Sequence, residues 1–337
     1  MNDAGSSGWF ARLLGVRTTA SPALEAAITQ VIDGVDPRLR LVRGYARRLL
    51  PALERVLAYF DTLMARIPPA VEFSERRWTA DPLLRLLFAD TAQLKQVFSA
   101  SHELREFFRN QPAAAEAFVG LSLTRHEQRI SGMALAGETV QRDVMQTAIG
   151  FSERLVVGAS ISEAELRGKL KTRCLNFLIA QMLERLARER PEPEETEDKL
   201  KLWLRAREHE RCALDGLFCT TDALDREIAV LRDRLAREAR FAVVPPSPVT
   251  VTLDEQLDRT CSALEALPHT IRLDIVRLRV DHNNIRLAPD APDGHAVAFS
   301  EATIGELPPR TVVLARVPRE ELLREEELLE RARRLLA

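Results

Sequence analysis

The sequence predicts a mainly α fold, close to all-α: an N-terminal multi-helical domain with a long helix or helical hairpin, then a small C-terminal α+β domain with a terminal amphipathic helix. Three observations carry that expectation. Aromatic residues make up only 5% of the chain, so its cores must be built from Leu, Ala, Val and Ile, which suits helices better than a β-sandwich. Proline recurs directly after residues that open helices. Apolar residues from Leu214 to Leu235 repeat at spacings of three and four, the pattern of a coiled coil.

Residues 1–20 read as a flexible tail carrying a short amphipathic segment, because MNDAGSSG cannot repay the entropy of ordering. Trp9, Phe10, Leu13 and Leu14 sit at i, i+1, i+4 and i+5, so a short helix presents them together to a protein partner or a membrane surface, or folds them onto the core. An α-helical domain follows over 21–190. Ser21-Pro22, Asp36-Pro37, Asp81-Pro82 and Gln111-Pro112 each place Pro at a first helical position, and at the first three the preceding residue is also a good N-cap. Leu39, Val42, Leu49, Leu50, Leu53, Val56, Leu57, Phe60 and Leu63 draw one broad apolar stripe over 37–67, kinked at Pro51. Helices are predicted over 82–110, interrupted near Asp90 and Ser101, and over 112–157, broken around Gly132 or Gly137. Ser162 and Glu165 form a capping-box pattern opening a helix to 189.

The proline-containing acidic run from Pro191 ends that domain. Residues 196–242 read as a long helix, a helical hairpin broken at Gly216 to Thr221, or a short coiled coil. A Pro-rich linker at 243–248 precedes a small α+β domain at 249–337. Within it the patterns give a strand from Val249, a helix over 255–267, and a strand over 271–280. That last strand changes phase between Ile275 and Val276 as a bulge would. Asp281, His282, Asn283 and Asn284 make a turn returning through Ile285, two strands follow at 296–299 and 311–317, and a helix starts at Pro318.

Composition narrows the function classes. The formal charge is −2, from 48 basic and 50 acidic residues mixed along the chain, which gives nucleic-acid binding no support. All but five of the basic residues are arginine, read as coding bias rather than phosphate recognition. Four scattered cysteines argue against a disulfide framework and for a reducing, cytoplasmic location. The sequence has neither an apolar run long enough to span a bilayer nor a signal-peptide pattern.

No motif specifies chemistry. Gly132 to Thr139 has the glycine spacing of a phosphate-binding loop but puts Glu138 where lysine must stand, and Thr124 to Arg129 before it does not read as a strand. His102-Glu103 and His126-Glu127 begin a zinc-protease motif, yet Glu106 and Ile130 occupy the second histidine position. His209 and Cys212 share a helix face, but Cys219 lies too far along it to join them on one ion. The carboxylates fall beside arginines on helix surfaces, as i,i+4 pairs do. No catalytic residue, cofactor or metal is therefore assigned, and Asp281, His282, Asn283 and Asn284 stand as a candidate recognition turn, since loops on rigid scaffolds often bind. The expectation is a non-enzymatic cytoplasmic scaffold, adaptor or regulatory protein acting through protein–protein contacts, with self-association through 200–240 as one route. The alternatives are an enzyme with its site at the junction of the helical and C-terminal domains, and a peripheral membrane protein attached through the Trp-Phe segment.

Overall fold

The computed structural model describes residues 21–136, 139–189, 196–215, 221–241, 252–266, 268–291, 293–324 and 327. It is 57% helical and 26% strand. The chain divides into two compact units, Met1–Thr62 with Lys171–Thr270 and Leu63–Leu170 with Ile271–Ala337, and the division falls inside two long helices.

The first unit is helical. Helix α1 (Pro22–Val35) is capped by Ser21, whose hydroxyl accepts from the Leu24 amide at 3.4 Å. It buries Leu24, Ala27, Ile28, Val31 and Ile32, the stripe its i, i+3, i+4 spacing dictates. Asp36 caps a 3-10 turn at Pro37–Leu41, and α2 (Tyr45–Arg66) follows Gly44, whose φ of +74° suits glycine. The predicted stripe of α2 is buried at Leu49, Leu53, Val56 and Phe60. In the second unit three short helices precede α6: α3 (Glu75–Ala80), α4 (Pro82–Leu87, capped by Asp81) and α5 (Thr91–Ala100, capped by Asp90). Ser101 caps α6 (His102–Asn110). The fourth predicted start, Gln111-Pro112, opens no helix: it alone of the four lacks the short Ser or Asp side chain that reaches back to the exposed amides as an N-cap.

Back in the first unit, α7 (Glu163–Glu189) supplies residues from Lys171 onward, followed by α8 (Glu197–Leu214), α9 (Asp222–Phe241) and α10 (Leu253–Ala266). Ion pairs Arg207–Glu227, Arg211–Asp225 and Arg232–Glu208 run antiparallel between α8 and α9, making a helical hairpin within one chain. Leu214, Leu224 and Ile228 are buried rungs of the three-and-four repeat. Thr252 and Glu255 cap α10 reciprocally, amide to side chain at 3.2 and 2.9 Å.

The second unit overturns the mainly α expectation, and with it the all-α description. Strands β2 (Glu116–Ala136) and β3 (Thr139–Ser160) form one hairpin where helices were predicted over 112–157. With β4 (Ile271–Val280), β5 (His295–Ile304) and β6 (Arg310–Pro318) they build a curled antiparallel half-barrel in the order β3-β2-β6-β5-β4, and the short β1 (Val71–Glu72) adds parallel to β6. The C-terminal strands are thus part of one sheet with the middle of the chain rather than a separate small α+β unit.

Helices α3–α6 fill one face of the sheet. Phe73 meets Phe88 and Phe98 edge-on at 5.9 and 5.3 Å, Phe88 and Phe98 lie tilted at 6.2 Å, and the three share a core with Ala117, Val119, Leu121 and Leu123 of β2 and Val297 and Phe299 of β5. The last turn of α2 bonds to the other face, where Arg66 donates to the Leu273 carbonyl at 3.1 Å and Ser300 to the Arg66 carbonyl at 3.3 Å. This explains the phase change in β4. Its pairing with β5 runs without a shift from Ile271↔Ile304 to Val280↔His295, so there is no bulge. Ile271 and Leu273 are buried on one face, and Leu278 and Val280 on the other.

The strand expected from Val249 and the linker 243–248 lie outside the described residues, as does most of the expected terminal helix; of its described start, Pro318 ends β6, 319–321 form a 3-10 turn and 322–324 are not helical.

Candidate interaction site

At 21 and 22 residues, β2 and β3 are several times longer than an ordinary strand of about 5–6. Their pairing slips by one residue in three places, each time with the extra residue on β3. A residue with positive φ stands at every slip: Gly158 at +73°, Glu153 at +46° and Asp143 at +61°. These are β-bulges, which raise twist and bend the strand that carries the extra residue. Glycine adopts such angles freely and Asp tolerates them, whereas Glu153 must be held there.

Arg310 does the holding. Nearly buried at 9% exposure, it donates to the Glu153 carbonyl and to its carboxylate, both at 2.7 Å, to Ser122 Oγ at 2.9 Å, and to Thr124 Oγ1. The Thr124 hydroxyl also donates to the Glu153 carboxylate, and these bonds hold its pKa below the ordinary 4.5.

Along β2, residues 116–123 pair with β6, but beyond Leu123 the other edge of β2 meets no strand among the described residues. The hairpin continues with the 284–286 segment bonded to its β3 edge at residues 147–149, and beyond that level as a two-stranded ribbon. His126, Glu127, Gln128 and Arg129 are exposed, as are Met133 at 67% and Met145 at 64%. Two glycines let large side chains cross the ribbon: a Cβ at Gly150 would collide with the His126 imidazole, and one at Gly132 with the Gln146 amide. Gln146 uses that space to donate to the Met133 carbonyl at 3.0 Å.

At the base of the ribbon Arg125 pairs with Glu301 at 2.7 Å and with Glu127, which Arg286 also approaches at 3.4 Å. The Glu301 carboxylate raises the Arg125 pKa.

The turn of Asp281, His282, Asn283 and Asn284 forms as its residue types require. The Asp281 carboxylate accepts from the Asn283 and Ile285 amides, each at 2.8 Å, and Asn284 adopts φ +61°. This turn fastens the curled sheet to β3: the Ile149 amide donates to the Asn284 carbonyl at 2.9 Å and the Arg286 amide to the Thr147 carbonyl at 2.8 Å. Trp9, Phe10, Leu13 and Leu14 lie outside the described residues.

The other sequence candidates are dispersed. Gly132 lies in β2 and Thr139 opens β3, and Thr124 to Arg129, read as non-strand, is strand. His126 sits opposite Gly150, and His102 faces Glu106 on α6. His209 is held below its ordinary pKa by burial beside Gly34, while Cys212 on the same helix is exposed. No group of three or more His, Cys, Asp or Glu able to hold a metal ion occurs among the described residues. Sequence reasoning missed Arg129, Met133, Met145 and Arg310. Strict alternation of Ala117, Val119, Leu121 and Leu123 was the signal for the strand that presents the first two.

No described helix is long and apolar enough to cross a membrane. The chain matches no protein-family model, no curated protein and no solved structure.

Proposed function

We propose that this protein is a non-enzymatic cytoplasmic scaffold or adaptor that works through protein–protein contacts, and that the β2–β3 ribbon is its contact element. One observation carries the reading: a paired ribbon continues past the sheet with an open edge and two large apolar side chains, Met133 and Met145, in solvent. Two-stranded ribbons are marginal in water and gain stability from further pairing or packing. Methionine suits such a surface because its flexible thioether adapts to varied partners. Free Cys174, Cys212 and Cys261 agree with a reducing compartment.

The test is a photo-crosslinking amino acid placed at Met133 in the full chain, with Leu41, exposed at 78%, as the control position. Crosslinking in living cells is expected from 133 and not from 41. Absence of any protein adduct from 133 would remove the ribbon as contact element.

A further inference from the structure

We propose that the open edge of β2 is built to pair with the same edge of a second copy of this chain, antiparallel, about a two-fold axis through Gln128; this rests on the ribbon being the contact element. The available stretch is Thr124–Gly132. It begins where pairing with β6 stops at Leu123 and ends where the β2–β3 register slips after Gly132.

Edges that must stay unpaired are guarded by proline, lysine or bulges, and Thr124–Gly132 contains neither proline nor lysine. Every bulge of the hairpin lies on β3 instead. The β3 edge is further occupied at residues 147–149 by Asn284 and Arg286. One edge of the ribbon is therefore obstructed and the other is left open.

The occupant follows from the order of charges. Around Gln128 the chain reads Glu127-Gln128-Arg129. In an antiparallel ladder centred on Gln128, Glu127 stands opposite Arg129 of the second copy, and the symmetry repeats the pair. Moving the centre to Glu127 sets Glu127 against Glu127 and Arg129 against Arg125, and moving it to Arg129 sets Arg129 against Arg129 and Glu127 against Ser131. Within the chain Arg129 is exposed and forms no ion pair among the described residues, whereas Arg125 and Arg286 already neutralise Glu127 from the other side. A single cation with no partner, next to its own complement in reverse order, fits a two-fold edge. His126 then faces Ile130, and Thr124 faces Gly132. The result is a four-stranded sheet through both ribbons, which turns two marginal hairpins into a stable unit.

Full-length chain carrying Gln128→Cys in a Cys212→Ser background is the probe, with His126→Cys as the off-axis control. On the two-fold, position 128 meets itself at disulfide distance, while two copies of position 126 stand roughly 13 Å apart, beyond the reach of about 7 Å between Cα atoms. Mild oxidation is expected to convert most of the Gln128→Cys protein into a covalent dimer and to leave His126→Cys monomeric. Light scattering of the unmodified chain is expected to give twice 37.9 kDa. Arg129→Glu, which sets like charges opposite each other and disturbs no ion pair within the chain, is expected to weaken association at least tenfold, with an unchanged melting curve only at dilutions where both proteins are monomeric.

A 37.9 kDa monomer at high micromolar concentration, or equal oxidation at 126 and 128, overturns the proposal. If the Met133 crosslink then captures a different protein, the ribbon stands as contact element and the second copy does not. If it captures nothing, both fall.

Discussion

Two hairpins dominate this chain, and they handle exposure in opposite ways. The helical hairpin of α8 and α9 turns Leu224 and Ile228 inward and ties its outer surfaces with ion pairs. At its base the Arg207 guanidinium meets Glu184 at 3.2 Å, Glu227 at 3.2 Å and Glu210. Arg188 and Arg207 lie 6.0 and 5.9 Å from the centroid of Trp203. The β2–β3 hairpin buries one face as far as the helical layer reaches, at Ile149 opposite Glu127, while on the β2 side His126 to Arg129 stay exposed. The helical hairpin pairs these charges within the chain, although its buried Trp203 Nε1–H meets no partner among the described residues. The β hairpin leaves Arg129 and two methionines exposed along its length.

Substitutions can break that comparison, starting with the largest effect. Arg207→Ala strands the buried Glu184 together with Glu210, whose carboxyl burial already pushes above its ordinary pKa against the pull of Arg207. A loss of about 3–5 kcal/mol in urea unfolding is expected. A loss under about 1 kcal/mol would mean that water screens this network as at a surface.

In the sheet unit, Arg310→Ala removes the donor to Ser122, Thr124 and the Glu153 carbonyl, and about 2 kcal/mol is expected to go with it. Hydrogen exchange should rise around residue 153 before it rises in the helical unit, and a uniform increase would contradict the assignment.

A smaller effect depends on pH. The folded-state pKa of Glu153 lies below 4.5, so its contribution is complete above that value and is lost as the pH falls through the lowered one. Melting scans from about pH 6 to 3 should show wild type falling toward Glu153→Gln as acidity rises. A gap that widens in acid would reverse the sign argued here.

The smallest effect belongs to the ribbon surface. Met133→Ser with Met145→Ser should change the stability of the isolated chain by no more than about 0.5 kcal/mol, since neither side chain is buried. A larger change measured well below any association threshold would show that the methionines serve the fold itself.

How much of this was legible in the sequence follows the same division. Helices were readable at Ser21, Asp81, Asp90 and Ser101, where a capping side chain stood at the start, but α3 was missed although Ser74 caps it. Pro112 without such a residue misled. The long hairpin escaped because its residues are often good helix formers and because the bulges break its period of two. Along β3 the residues associated with the helical layer are Ile149, Phe151, Arg154 over Phe88, Val156 and Ala159, at intervals of two and three. That sequence of intervals imitates neither a clean strand nor a helix. Gly120, Gly132, Gly137 and Gly150 were the better clue, since each costs about 1 kcal/mol in a helix and four within 112–157 argue against it. Of the candidate site, the Asp281 turn was readable from residue type alone, but its attachment to β3 depends on pairing between segments more than 130 positions apart, which no local pattern records.

The three bulges also act like the two metals of a bimetallic strip. The extra residues make β3 about 10 Å longer in contour than the stretch of β2 it pairs with, at roughly 3.3 Å per residue, and two bonded strands of unequal length can only curl. The curvature is therefore written into residue count rather than side-chain chemistry. Exchanging side chains leaves the difference in length intact, whereas deleting the residue at 143, 153 or 158 removes a third of it and straightens the ribbon by one step each time.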